Sequence, residues 1–340
     1  MQHVNILTRY NYALFAQHID ADNYAGRLRF VENSHEERDW DLVIVFDGLP
    51  ASRTIRVRRG GLIFIAGEPP NAMPYTAAFL NQFDRSFCAH ANARRRVSND
   101  PEQYFNNWHF GHDPASRSFR WTHYELRNLT APDKTKDMSV IMSDLAYMPN
   151  HMKRRHFLAR LKERFGERID VFGRGHRFIP FKDDALLPYR FHVCIENCAV
   201  ADLWTEKLAD SFLGWSVPVY DGCPNVHRYF PKDAVVRLDM DDVEGSLATI
   251  DRLLSNPQSE YSRRFDALQA GRQRVLDDYN ITTLADRLIT SAPVAAPTAR
   301  NVQPNEVTRG FTLANYLLRA RRLAYQRYYL LTHNMTSAKL

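Results

Sequence analysis

Cysteine is scarce. Cys88, Cys194, Cys198 and Cys223 are the four among 340 residues, too few for a disulfide framework, and they read as reduced thiols of a cytoplasmic protein. Long apolar runs are missing as well. Stretches such as Leu42–Phe46 and Leu62–Gly67 fall far short of the ~18–20 residues a membrane-spanning helix needs. The first residues, MQHVNILTR, hold no charged leader followed by an apolar region, so no secretory signal is expected. There is no internal repeat and no low-complexity segment. With 44% hydrophobic and 25% charged residues, the composition is that of a globular protein and excludes a disordered or collagenous chain. The length predicts about two domains.

The net charge of +6 is local. Residues 307–340 carry Arg309, Arg319, Arg321, Arg322, Arg327 and Lys339 and no acid, so residues 1–306 hold equal numbers of basic and acidic side chains. Nucleic-acid binding needs a basic stripe on a folded domain. Only a tail offers one, so no nucleic-acid partner is expected. Residues 311–331 contain neither Gly nor Pro, and Leu313, Leu317, Ala320, Ala324, Tyr328 and Leu331 follow helical spacing. Two readings of this tail stand open. One is a helix packed on the body or on a second copy; the other is peripheral attachment to an anionic membrane surface.

Short buried-type runs at Val4–Leu7, Asp41–Phe46, Gly61–Ala66 and Ser86–His90 alternate with longer polar stretches, the pattern of a parallel sheet covered on both faces. A less patterned charged segment, Arg117–Asp137, precedes a second alternation. Strands are expected at Ser139–Met142, Ile169–Phe172, Phe191–Ile195, Val217–Tyr220 and Ala234–Leu238. Helices are expected at Asn150–Phe165, with Lys153, Arg154 and Arg155 on its polar side, and at Thr205–Leu213, Leu247–Asn256, Glu260–Asp278 and Thr283–Thr290. The expected organisation is an α/β protein of two doubly wound, Rossmann-like domains facing a cleft, residues 1–135 and 136–292. Residues 293–340 are expected to be a Pro/Ala linker followed by the basic tail.

The most informative stretch is Tyr189–Pro231. A buried strand ends in Glu196-Asn197, and ligands of open α/β sheets sit beyond the carboxyl ends of strands. Thr205 is a good N-cap, and Glu206 and Lys207 follow in the first turn. A helix N-terminus presents free amides and partial positive charge to a phosphate. Lys207 opposes the helix dipole unless an anion sits there; the plain alternative is a surface charge pair. Another strand end, at Tyr220, leads into the turn Asp221-Gly222.

Four ordered blocks in this stretch, IEN (Ile195–Asn197), DLWTEKL (Asp202–Leu208), VPVYDGCPN (Val217–Asn225) and YFP (Tyr229–Pro231), resemble the signature of glycosyltransferase family 10, the α-1,3/4-fucosyltransferases. RIDVFGRG (Arg168–Gly175) resembles its bacterial members. So, more weakly, do AGEPPN (Ala66–Asn71) and WHFGHD (Trp108–Asp113). The resemblance implies a GT-B fold and inverting transfer of L-fucose from GDP-β-L-fucose to a glycan hydroxyl, with an α-1,3 type linkage and no metal or other cofactor. Lys207 and Arg174 match the family's diphosphate-binding positions. Glu206 matches a glutamate lying against the nucleotide sugar, and Glu68 matches the proposed general base. Glu196, Asn197, Thr205 and Tyr220 complete the expected donor site. One position departs. The family's tyrosine in D-Y-x-T-E-K is Leu203 here, so its contact is either absent or supplied by Trp204. Two other readings follow, a GT-B glycosyltransferase with a different nucleotide-sugar donor and a non-catalytic glycan- or nucleotide-binding descendant. A cytoplasmic enzyme, peripheral on the inner membrane face and acting on lipopolysaccharide or capsule precursors, fits the tail.

The residues support these roles independently. Arg174 lies between Gly173 and Gly175 after a strand, where a ligand can approach the backbone and a guanidinium can fork onto phosphate oxygens; a solvated turn arginine is the alternative. Glu68 follows Ala66-Gly67 and precedes Pro69-Pro70. It suits either a turn carboxylate or a base at a cleft edge. Asp239-Met-Asp241-Asp242 contains a D-x-D triplet but precedes a helix, which carboxylates stabilise at its N-terminus. His109 and His112 lack a third metal ligand. Cys194, Cys198 and Cys223 read as packing cysteines rather than a chelating set.

Overall fold

The structure is a computed structural model. It describes residues 1–19, 27–113, 115–143, 149–291 and 295–305, together with Ala320, Leu323, Ala324, Arg327 and Tyr328. Two parallel sheets organise it. The first runs Leu28–Glu32, Gln2–Thr8, Leu42–Phe46, Leu62–Ile65, Arg85–Phe87, Asn99–Asp100, all neighbours parallel. The second runs Ile169–Phe172, Lys136–Ile141, Tyr189–Ile195, Val217–Asp221, Val236–Arg237, again all parallel. This is the expected pair of Rossmann-like sheets.

Each sheet reverses its winding direction once near its N-terminal strand, which opens a crevice at the carboxyl ends there. In the first sheet the crevice lies between Gln2–Thr8 and Leu42–Phe46, so Arg9, Tyr10 and Asp47 stand at its mouth. In the second it lies between Lys136–Ile141 and Tyr189–Ile195, beside Glu196 and Asn197.

Leu42–Phe46 is buried along its whole length because both faces of the sheet are covered. Val43, Val45, Leu62 and Phe64 pack under Tyr75, Phe79 and Leu80. Ile44, Phe46, Ile63 and Ile65 face the other way, against Ile281, Leu284, Leu288 and Ile289. The last long helix, Ile281–Ser291, thus crosses from the second sheet back to the first. Trp108, Phe110 and Leu126 already pack in the core of the second sheet, so the chain crosses twice.

The fold departs from expectation at two places among the described residues. The Pro/Ala stretch read as a linker contains a strand, Pro297–Val302, antiparallel to Arg53–Arg58 through six residue pairs. It is held further by Arg300 on Asp84 (3.0 Å) and on the carbonyl of Gln82 (2.6 Å). The helix expected over Glu260–Asp278 divides into Pro257–Ser262 and Phe265–Asp277. Tyr261 there donates to the carbonyl of Trp215 at 2.9 Å, and Phe265 stacks on the Trp215 ring. Most of the tail helix expected over 311–331, including Leu313, Leu317 and Leu331, lies outside the described residues. Ala320, Ala324 and Tyr328 are helical and exposed. Among the described residues no helix is long and apolar enough to cross a membrane.

Candidate active site

The two crevices open onto one cavity of about 260 Å³, lined from the first sheet by Tyr10, Asp47 and Glu68 and from the second by Asn197, Glu206 and Lys207, among others. Glu196, Thr205, Leu203 and His109 also reach it.

On the second sheet, Glu196 ends its strand as a buried carboxylate. It accepts from the backbone N–H of Thr205 at 2.8 Å and from the Thr205 hydroxyl at 2.6 Å. Thr205 caps helix Glu206–Leu213, its hydroxyl oxygen accepting from the N–H of Lys207. A buried carboxylate therefore fixes the N-terminus of this helix toward the cavity. The Lys207 ammonium lies 2.9 Å from Glu206 and 3.6 Å from Glu196. Burial would raise the Glu206 pKa, but Lys207 and Lys182 overcome it and hold the carboxyl well below its ordinary range. Lys207 is held above its own range: burial opposes its charge, and Glu206 and Glu196 outweigh burial. Both side chains are ionised at neutral pH. Close to them, burial and then the Lys182 ammonium push His109 down to about 3, so its imidazole is neutral.

On the first sheet, Glu68 follows the strand Leu62–Ile65. Burial, then the charges of Asp47 and Glu206, raise its pKa to about 7. Gly67 is needed beside it, because a Cβ there would lie 2.2 Å from Phe46 Cζ. A carboxyl poised near neutrality at a cleft wall can take a proton from a hydroxyl group.

Of the residues singled out from sequence, Glu68, Glu196, Asn197, Thr205, Glu206 and Lys207 therefore line one cavity. Tyr220 does not. It is fully buried behind it, its hydroxyl accepting from the N–H of Cys223 at 2.9 Å and reaching Glu196 at 3.5 Å. Arg174 does not line it either; it is exposed on the loop after Ile169–Phe172. Arg154, from helix Pro149–Phe165, does not line the cavity itself, but it is buried and donates to Oδ1 of Asn197, which does. Trp204 cannot stand in for the family's tyrosine. Its ring is fully buried among Tyr229, Phe230 and Tyr279, while Leu203 itself reaches the cavity.

The acidic triplet Asp239-Met-Asp241 and the neighbouring Asp242 resolve as structural, whereas His109 and Cys198 line the cavity. Asp242 caps helix Val243–Ser255 through the N–H of Gly245, and Asp241 pairs with Lys153. Among the described residues no group of three or more His, Cys, Asp or Glu side chains is placed to hold a metal ion.

The comparisons with known proteins agree with this layout. The model of the glycosyltransferase family 10 (fucosyltransferase) C-terminal domain matches residues 131–281. The matched span is less than half of the chain and is similar to that family. It contains the second sheet and, apart from Asn107 and His109, that side's contribution to the cavity. A fucosyltransferase-like protein of Arabidopsis thaliana is 30% identical over 146 residues, 41% of this chain and 28% of that protein, so the chain spans little more than a quarter of that relative. Two solved structures share the fold across both sheets. An α1,3-fucosyltransferase with GDP has a TM-score of 0.51 at 17% identity, covering 85% of this chain and 88% of that one. An α1,3-fucosyltransferase with GDP-fucose has a TM-score of 0.50 at 15% identity, covering 87% and 93%. The likeness in fold therefore extends beyond residues 131–281 to the whole GT-B architecture.

Proposed function

We propose that the protein is an inverting fucosyltransferase that moves L-fucose from GDP-β-L-fucose to a hydroxyl of a glycan, forming an α-1,3 type linkage. The observation that carries this reading is the meeting of Glu68 with Glu206 and Lys207 across one cavity, the last two lying in the span similar to family 10. The solved relatives with GDP and GDP-fucose favour this donor over other nucleotide sugars.

In the proposed step the Glu68 carboxylate takes the proton of the acceptor hydroxyl as its oxygen attacks the anomeric carbon. The bond from that carbon to the diphosphate oxygen breaks on the opposite face, which inverts the configuration. GDP leaves with additional negative charge. Lys207, Arg154 and the amides at the start of helix Glu206–Leu213 are placed to receive that charge, so fixed side-chain cations take the part a divalent metal plays in other glycosyltransferases. Glu206, held ionised, is available to accept hydrogen bonds from donor hydroxyls. The acceptor has room beside the donor. A second cavity, of about 580 Å³, shares Tyr10 and Tyr12 with the first and opens beyond the strand ends of the first sheet. The half-buried Tyr10 and Tyr12 at its wall suit contact with the apolar face of a sugar ring. Tail contact with an anionic membrane would bring a cytoplasmic enzyme to lipid-linked acceptors.

A donor screen tests the proposal. GDP-fucose should protect the protein against thermal unfolding and be turned over, releasing GDP, where GDP-mannose and UDP-sugars do so weakly. Preference for another donor would replace fucose in this reading, and protection without turnover would leave a binding protein.

A further inference from the structure

The carboxylate of Asp47 has no place in the reaction as described, yet it is the most heavily bonded acid at the cavity. It is buried, at 3% exposure, just past the end of Leu42–Phe46. Oδ1 accepts from the N–H of Gly67 (2.7 Å), the N–H of Glu68 (3.0 Å) and the Tyr75 hydroxyl (2.7 Å), and Oδ2 accepts from the Tyr10 hydroxyl (3.1 Å). Two backbone N–H groups and two hydroxyls donate to it, which suits an ionised carboxylate and works against the burial that raises its proton affinity. The backbone is bent to reach this position. Asp47 has φ +59° and Gly48 φ +113°, a left-handed conformation that costs a non-glycine residue energy and that Asp tolerates better than most. The loop it grips is pinned again on its far side, where a ring nitrogen of His90 lies 3.0 Å from the carbonyl of Glu68.

We infer that Asp47 is a positioning residue for the candidate base: its carboxylate clamps the backbone carrying Glu68 and keeps a fixed negative charge beside the Glu68 side chain. The inference rests on the role proposed for Glu68. The charged groups facing Glu68 are Asp47 and Glu206, which disfavour its ionised form, and Lys207 and Arg9, which favour it. The hydroxyls of Tyr10 and Tyr75 bond the Asp47 carboxylate, and the His90 ring bonds the Glu68 backbone carbonyl. After burial, Asp47 contributes most to raising the proton affinity of Glu68. A base with ordinary carboxylate affinity would hold a transferred proton poorly, whereas one near neutrality is matched to the task. Asp47 thus trades a strained, desolvated anion for the strength of its neighbour.

Asp47→Asn separates charge from clamp. Its amide oxygen keeps an acceptor for the loop N–H groups and Tyr75, and its NH₂ faces the Tyr10 oxygen. Asp47→Ala removes both. The measurement is a ¹³C NMR titration of the Glu68 carboxyl in the full chain, assigned with Glu68→Gln, alongside the pH dependence of fucosyl transfer. In Asp47→Asn the Glu68 midpoint should fall by about 0.5–1 pH unit, and the acid limb of kcat/KM should move the same way with GDP affinity retained. Asp47→Ala should lose more than about tenfold in turnover, most of it recovered in Asp47→Asn. A purely structural residue would lower rates without moving the midpoint, so an unchanged midpoint in a folded Asp47→Asn overturns the inference. If that variant does not fold, Tyr75→Phe serves. It withdraws a donor that stabilises the Asp47 anion, so the Asp47 midpoint should rise and that of Glu68 fall, and movement of neither overturns the inference. The titration contains neither donor nor acceptor, so it decides the clamp whether or not fucosyl transfer is the reaction.

Discussion

Asn71 Nδ2 donates to the backbone carbonyl of Asn197 at 2.9 Å, joining the loop that carries Glu68 to the strand end that carries Glu196. The candidate base and the candidate donor site are therefore tied by a hydrogen bond across the cleft. Base-catalysed displacement needs such a tie, because misplacing the reacting groups by an ångström can cost about 10²-fold in rate.

Glu68→Gln keeps the size of the side chain and cannot accept a proton. Turnover should fall by about 10² or more with GDP affinity retained, as single-turnover assays and calorimetry would show. The pH dependence follows from the same residue. With its pKa raised to about 7, Glu68 is protonated and inactive as a base below that pH. kcat/KM should therefore fall about tenfold per unit as pH drops below 7, and the limb should vanish in Glu68→Gln. A flat profile from pH 5 to 8 would remove Glu68 from the role.

The cations at the donor site can be told apart. Lys207→Ala and Arg154→Ala should each weaken GDP binding by roughly 10- to 150-fold, the loss of one charge-assisted bond of about 1.5–3 kcal/mol. Lys207→Ala should also lower stability, because it leaves Glu196 and Glu206 without their shared cation. Arg174→Ala, at an exposed loop outside the cavity, should change GDP affinity by less than about threefold. Calorimetry giving the reverse order for Arg154 and Arg174 would return the diphosphate to the Gly173–Gly175 loop.

That pair of arginines shows where sequence reasoning reaches and where it stops. Glu206 and Lys207 were legible because an N-cap type, Thr205, immediately precedes them, so one local rule places both at a helix start. Glu68 was legible through the family resemblance, since a strand end stiffened by Pro69-Pro70 suits a turn carboxylate as well as a base. Arg154 was not, because it sits in a run of three basic residues on one helix. Only the helical phase against the second sheet selects which of Lys153, Arg154 and Arg155 meets Asn197. Asp47 was hidden for another reason. An aspartate before glycine at a strand end reads as a turn, and its partners come from residues 10, 67, 68 and 75. The two sheets were visible in their buried central strands. Arg53–Arg58 was missed because arginines alternate with Ile55 and Val57, and its partner Pro297–Val302 is too polar to look like a strand.

Leu203 bears on the donor. It reaches the cavity from the loop before Thr205, so a larger ring there projects into donor space. If Leu203 merely packs where the family's tyrosine sits, Leu203→Tyr should preserve or improve use of GDP-fucose, measured as kcat/KM against GDP-mannose. A sharp loss on GDP-fucose accompanied by gain on another donor would support a changed donor sugar.

Part of the end of the chain serves the site. Asn305 is buried, its Nδ2 donating to the carbonyl of Pro74 at 3.1 Å and its Oδ1 accepting from the N–H of Thr76 at 3.3 Å. It thereby ties down the loop that begins at Glu68, and Pro297–Val302 anchors it to the first sheet. Deleting residues 307–340 removes none of these bonds. That truncation should melt within a few degrees of the full chain and keep its activity on a free oligosaccharide, while losing salt-sensitive sedimentation with anionic vesicles if the basic tail is the membrane contact. Deleting residues 296–340 strips the sheet edge and frees the Glu68 loop. Its melting temperature should drop by several degrees or more, and turnover should fall even where GDP still binds. Equal vesicle binding by the full chain and the shorter truncation would refute the membrane role of the tail. Equal stability and turnover in the two truncations would refute the tie between Asn305 and the catalytic loop.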